Sequence, residues 1–266
     1  MSFGWRQDLE RYEELETTQT PFALPMLGDP PLEIDPRPFH KMENQGPVGS
    51  CQGHDLSSCV EHCDHIASGA VRQFSRAHAY YGTQQIDGLL GSDNGSTISG
   101  GVKLAKETGL VLEEVWPYIA RYNPRPPMPW EKIAELAASN KIRSHSVIKD
   151  ERSFFNYLAS GVGAVTLGTM WGFEPNAQGV VEQWRPGRGG HATAVLGYSA
   201  RKDSQGRNYY WLANSWGTSW GNQGWAEIAP AAMEAALGHQ WTVAIGISDL
   251  TVPEQRPISW AANPIM

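Results

Sequence analysis

In residues 43–55, ENQGPVGSCQGHD, a single cysteine, Cys51, follows a run of turn-formers and stands where a helix should begin. A thiol becomes a strong nucleophile as thiolate, and a helix N-terminus favours that anion through its dipole and its unpaired backbone N–H groups. A nearby imidazole strengthens the effect, because proton transfer yields a thiolate and an imidazolium poised to attack a carbonyl. His191, in RPGRGGHATAVLGY, is the candidate base: a glycine turn delivers its ring at the start of a buried strand. A third group must then orient the ring. Asn214, in WLANSWGTSWGNQGW, follows an apolar strand and carries an amide that can accept from the ring N–H, with Trp216 placed to keep water off that bond.

These residues need elements to hold them. After Ser50 the stripe Leu56, Cys59, Val60, Cys63, Ala67 and Ala70 recurs at helical spacing, predicting a long helix that begins at or next to Cys51 and whose buried face does not require it. Further helices are expected around residues 74–85, 98–108 and 130–138, with the loop GSDNGS between the first two. From Gly161 the pattern changes to strand-like runs, VGAVTLG, HATAVLGY, NYYWLAN, GWAEI and WTVAIGIS, separated by Gly, Pro and Asn clusters. Helices followed by strands predict an α+β protein of two lobes with a site in the cleft between them. The expected division is an N-terminal arm, 1–31, a mainly helical lobe, 32–150, a mainly β lobe, 151–250, and a C-terminal tail, 251–266. Within the arm, residues 5–16 read as a short amphipathic helix with Trp5, Leu9 and Tyr12 on one face, followed by a proline-broken connector.

Bulk properties narrow the function classes. At 266 residues and 41% hydrophobic content the chain can bury a substantial core. A net charge of -7, with Lys and Arg scattered, offers no basic stripe for a phosphate backbone, so nucleic acid is not an expected partner. The charged N-terminus lacks an apolar signal core and no stretch approaches the length of a membrane span, so neither a signal peptide nor a membrane partner is expected. The three cysteines, Cys51, Cys59 and Cys63, are too close in sequence to staple distant segments, which suits a reducing compartment: the cytoplasm, or a bacterial or viral assembly.

Taken together, Gln45-Gly46 with Gly49-Ser50-Cys51, Gly190-His191-Ala192, and Asn214-Ser215-Trp216-Gly217 with Trp220-Gly221 resemble the papain-like cysteine peptidases in identity, order and spacing. His191 and Asn214 fall about 140 and about 160 residues after the cysteine, close to the family's separation. The resemblance runs over roughly residues 32–250, since DNGSTISGGVKLAKETGLVLEEVWPY is similar to the family's passage from the substrate-binding loop to a Y-P-Y-like turn. It implies a two-lobed papain-like fold, a helical lobe plus a β-rich, barrel-like lobe. It also implies roles for Cys51 as nucleophile, His191 as base and then acid, Asn214 as orienting residue and Gln45 as oxyanion donor beside the Cys51 N–H. By the same resemblance Asn94, Gly95 and Ser96 hold substrate backbone, Leu167 and Ala192 line a side-chain pocket, and Trp216 borders the site. The implied activity is peptide hydrolysis through a thioester acyl-enzyme on a peptide or protein substrate, with no cofactor. An amidase or acyl transferase using the same site, or an adaptor component of a larger assembly, are the alternatives.

Departures from the family pattern carry their own expectations. Gln52 stands where the family has an aromatic residue and Val48 where it has a cysteine, so the usual neighbouring disulfide is missing, as in disulfide-free bacterial-type members with a similar D-x-R-P segment. Thirty-one residues are too few for the family's long helical prodomain, and the arm is expected to attach the protein to a partner or an oligomer. His54, where the family places an apolar ring, is expected to pack or hydrogen-bond at the lobe interface. Cys59 and Cys63 belong to the apolar stripe. The run CVEHCDH invites a metal reading, but on one helix Cys59, His62, Cys63 and His65 point in several directions, and no metal site is expected.

Overall fold

The computed structural model describes residues 3–20 and 29–248. The helix that carries Cys51 is its axis. This helix, α2 (Cys51–Ser68), follows the short strand β1 (Trp5–Arg6) and helix α1 (Leu9–Thr18) of the arm. It ends where Gly69 turns left-handed at φ 72° and returns its N–H to the His65 carbonyl, the usual way a glycine closes a helix. Gly53 sits inside α2 despite the cost of about 1 kcal/mol that glycine carries in a helix. A Cβ there would press on Tyr80 of the next helix, α3 (Arg76–Asp87), so the glycine permits a close crossing. Strand β2 (Ser96–Thr97), α4 (Ile98–Glu107) and α5 (Trp130–Ala137) complete the helical lobe. Ser75 and Thr97 cap α3 and α4 by accepting from the N–H groups of His78 and Gly100.

The second lobe is one seven-stranded sheet. Its strands are β3 (Ser144–Val147), β4 (Ala164–Met170), β5 (Val180–Val181), β6 (Gly190–Lys202), β7 (Asn208–Ala213), β8 (Trp225–Ile228) and β9 (Val243–Ser248), in the order β3-β9-β4-β6-β7-β8-β5. All pairings are antiparallel except β5 with β8. Helices α6 (Glu151–Ala159) and α7 (Pro230–Leu237) also belong to this lobe. Helix α2 packs against β4, β6 and β9, while α6 packs on β6 and α7 on β7. Residues from the two sides of the sheet enter separate core clusters, one built with Phe154, Tyr157 and Met233, the other with Leu56, Cys59 and Cys63. Burial on both faces explains why β4, β6 and β7 read as nearly unbroken apolar runs rather than alternating ones.

Three expectations change. The sheet does not close into a barrel, because β3 and β5 end it at opposite edges. The boundary at residue 150 falls too late, since β3 pairs with β9 and belongs to the sheet. The arm helix begins at Leu9, capped by Asp8, whose carboxylate accepts from the Arg11 N–H; Trp5 lies before it, in a strand. The expected tail, 251–266, lies outside the described residues.

Candidate active site

Ser50 is of a residue type that caps helices, yet it makes no cap bond to α2. Its hydroxyl goes instead to the Tyr118 phenol at 2.8 Å, and Tyr118 donates onward to the Gln45 carbonyl at 2.8 Å. The first-turn N–H groups beside Cys51 are therefore left without a side-chain cap, which suits a helix end that receives negative charge. Gln45 is fully buried, and both ends of its amide are engaged: Oε1 accepts from the Ser215 hydroxyl at 2.6 Å and Nε2 donates to the Val48 carbonyl at 2.8 Å. Its backbone N–H donates to the Ser215 carbonyl, joining the two lobes directly beneath the site.

From the β lobe, His191 enters near the start of β6. Its Nε2–H donates to Asn214 Oδ1 at 2.8 Å, and the same oxygen accepts from the Ser215 N–H at 2.8 Å. Those two donors fix which end of the amide is oxygen and put the proton of neutral His191 on Nε2, leaving the lone pair on Nδ1. Nδ1 is buried with no hydrogen-bond partner among the described residues. Trp216 stacks on the ring at 4.5 Å and Trp171 meets it edge-on at 4.8 Å. The next residue, Ala192, presents its N–H to the Cys51 sulfur, so strand β6 brings His191 and Cys51 to one place.

The cleft between them is covered by the arm. Residues Trp5 and Arg6 form a parallel pair with Ser96 and Thr97, and the Ser96 N–H donates to the Gly4 carbonyl at 2.8 Å. The Gly4 N–H lies against the Cys51 sulfur. Gly4 fits because it faces two further glycines: a Cβ on Gly4 would collide with the Gly49 carbonyl, and one on Gly95, whose φ is 76°, with the Gly4 carbonyl. Phe3 meets His191 and Trp216 edge-on, each at 6.0 Å. Trp5 is buried over Gly168 and Gly190, where an added side chain would meet its indole at Gly168 and its carbonyl at Gly190, and burial of this ring contributes on the order of 2–3 kcal/mol. Helix α1 anchors the segment, through Arg11 to Asp87 at 2.5 Å and through the Leu15 carbonyl, which accepts from His145.

Electrostatics follow from this cover. Cys51 has no exposed surface, and burial pushes its thiol up to about 11 although the N–H groups of Ala192, Gly4 and Gln52 pull the other way. Burial holds His191 down to about 4, opposed by its bond to Asn214. Between those values the covered pair is a neutral thiol beside a neutral imidazole.

The structure brings Cys51, His191, Asn214, Gln45, Ala192 and Trp216 to one site, with Gly95 and Ser96 on the opposite wall; Asn94 contributes its carbonyl to Arg6 at 3.5 Å. Leu167 is not brought to the cleft. Side chains alternate along β4, and with Gly168 under Trp5, Leu167 turns into the core on the other face. The expectation that the arm reaches away to a partner is also corrected, because residues 3–6 lie in the protein's own cleft. Sequence reasoning missed the residues that support the walls. Asp93 accepts from the Gly49 N–H at 3.0 Å and from the Tyr80 hydroxyl at 2.6 Å, and Gln52 accepts from the Ser96 hydroxyl at 2.9 Å. The aspartate in GSDNGS, between a turn serine and an asparagine, was the available signal. Among the described residues no cluster of metal-ligating side chains forms and no helix is long and apolar enough to cross a membrane.

Comparison with known proteins bears on this arrangement. A family described as papain family cysteine protease matches residues 31–245. Procathepsin L of Mus musculus is 26% identical over 221 residues, 78% of this chain and 63% of that protein, and fruit bromelain of Ananas comosus is 25% identical over 204 residues, 75% and 55%. The chain thus spans less than two thirds of the length of these relatives. Among solved structures, xylellain, a cysteine protease from Xylella fastidiosa, superposes with a TM-score of 0.69 at 20% identity, covering 94% of this chain and 92% of that one.

Proposed function

The chain belongs to the papain family of cysteine proteases, and from that premise we propose that it hydrolyses peptide bonds through Cys51, His191, Asn214 and Gln45, and that residues 3–6 hold it latent. The observation that carries the proposal is the arm itself: an extended peptide lies across the Cys51 sulfur, pairs its backbone with Ser96 and buries an aromatic side chain over Gly168. A cleft that accepts one peptide backbone this way has the shape to accept another.

With the arm displaced, water reaches the pair and the burial that keeps it neutral is relieved. The Cys51 proton then passes to His191 Nδ1, the ring position left with its lone pair by the bond to Asn214. The thiolate attacks the peptide carbonyl, forming a C–S bond as the carbonyl electron pair moves to oxygen. The Cys51 N–H and a Gln45 Nε2–H stabilise that oxyanion. Imidazolium gives its proton to the leaving amine as the C–N bond breaks, and a water deprotonated by His191 then cleaves the thioester. Stacking on Trp216 limits the ring's motion through these steps. The pocket over Gly168, filled here by an indole, favours substrates with an aromatic side chain at the corresponding position.

A mixed peptide library tests the reading. Gly4→Ala, whose added methyl cannot fit against the Gly49 carbonyl, is expected to cleave peptides with an aromatic preference, and the double variant with Cys51→Ala to cleave none. Added amine nucleophiles should leave hydrolysis dominant; their capture of most of the acyl group would point to a transferase, and cleavage by the Cys51→Ala form would refute the mechanism.

A further inference from the structure

His54 is not used in the steps above, yet it sits one turn along α2 from the nucleophile and is almost fully buried. Its Nδ1 lies 3.0 Å from the Ser50 carbonyl, which can only accept, so Nδ1 carries the proton and Nε2 is a bare acceptor. Burial keeps the ring neutral, down to about 3, which preserves that assignment in ordinary buffers. Nε2 has no hydrogen-bond partner among the described residues, and neither has Asn214 Nδ2, a donor that remains after Oδ1 has been taken by His191 and Ser215. An unmet acceptor and an unmet donor therefore border the active site. Both residues line one small cavity between α2 and the β lobe, about 10 Å³ in volume, with Asp55, Ser58, His40 and Glu43 also on its wall.

That volume is about the least that holds one water molecule, and buried waters persist where two to four polar groups converge. A water has the complementary pattern: it accepts from Asn214 Nδ2–H, donates one proton to His54 Nε2, and has a second proton for Asp55, Ser58 or Glu43. A direct bond between the two side chains would not explain a cavity between the elements that carry them.

Resting on the peptidase reading for its catalytic part, we propose that this cavity is a site for a single water that ties Asn214 Nδ2 to His54 Nε2, making His54 a positioning residue for His191. Through the water, His54 holds the Asn214 amide with its oxygen toward the His191 ring, and so holds the ring tautomer that leaves Nδ1 facing the nucleophile. The side chain where the family places an apolar ring thus acts on the histidine through two intermediaries without touching substrate.

The test uses the full chain. A high-resolution crystal structure should show an ordered water within hydrogen-bond distance of both atoms, lost or moved in His54→Phe, which keeps a ring against Tyr118 at the site of its present edge-on contact. In the Gly4→Ala background, His54→Phe should lower kcat about threefold, less than Asn214→Ala because His54 acts only through that amide, with KM nearly unchanged. His54→Gln should recover part of the loss, and in an Asn214→Ala background His54→Phe should cost nothing further. A dry cavity, a direct contact between the two side chains, or a kcat loss that is the same with and without Asn214 would overturn the proposal. If Gly4→Ala hydrolyses no peptide, that failure falls on the peptidase reading, and the crystallographic water still decides this one.

Discussion

Cys51 and its helix mates Cys59 and Cys63 are equally hidden, and for opposite reasons. Cys59 packs beside Asp55 and Cys63 donates to the Ile247 carbonyl at 3.3 Å, both under the sheet, where only unfolding reaches them. Cys51 is covered on one side by a four-residue stretch of arm held by one short parallel pairing, a tryptophan and a phenylalanine, and anchored beyond it by helix α1 through Arg11 and Leu15. Burial raises the thiol of Cys51 and of Cys59 alike. The difference is what would lower them again: N–H groups converge on the Cys51 sulfur, whereas Cys59 faces a carboxyl. One helix thus carries two thiols buried under the sheet and one buried under the arm, the one proposed as nucleophile, and burial alone does not tell them apart.

Substitutions sharpen the contrast in graded steps. Gln45→Ala, in the Gly4→Ala background, is expected to lower kcat by roughly 10- to 1000-fold while leaving Cys51 alkylation nearly intact, because an oxyanion donor acts mainly in the transition state. A kcat within twofold of the parent, by steady-state peptide hydrolysis, would remove Gln45 from the mechanism. Asn214→Ala should be milder, about tenfold or less, since Trp216 and Trp171 still brace the His191 ring. Cys59→Ala should leave turnover unchanged and cost about 1 kcal/mol of stability, as expected for a small buried group, measured by urea unfolding. Loss of activity in Cys59→Ala without loss of stability would break the division between the two kinds of thiol.

Much of the site was legible because its chemistry restricts residue type. A thiol at a helix start, an imidazole after a glycine turn and an amide after an apolar strand leave few alternatives, and the helical stripe of α2 and the runs of β4, β6, β7, β8 and β9 mark the elements that hold them. What stayed hidden was set by tertiary contact. β3 is four residues long and β1 two, too short for a periodicity, and β1 is a strand only because Ser96 lies beside it. Helices α6 and α7 fell between or beside strand-like runs, although Asp150 before Ser153 and Pro230 ahead of an alanine-rich stretch were start signals. Leu167 was misplaced by one residue, enough to turn a strand side chain to the wrong face. The arm's position could not follow from its own amphipathic pattern, since Gly4 binds through backbone atoms. The glycines at 4, 49 and 95 record that close approach only when seen together.

The central claim, that a displaceable arm is what separates Cys51 from its neighbours, is tested most directly by iodoacetamide labelling read by mass spectrometry from mild acid to about pH 8. In the full chain the thiol is held up near 11 and the imidazole down near 4, so the neutral pair persists across this range and Cys51 should label as slowly as Cys59 and Cys63. In Gly4→Ala, with water admitted, Cys51 alone should label at least about tenfold faster, and already below the ordinary thiol pKa of about 8.5. Equal, slow labelling of all three cysteines in Gly4→Ala, or rapid acid-range labelling of Cys51 in the intact chain, would contradict the account.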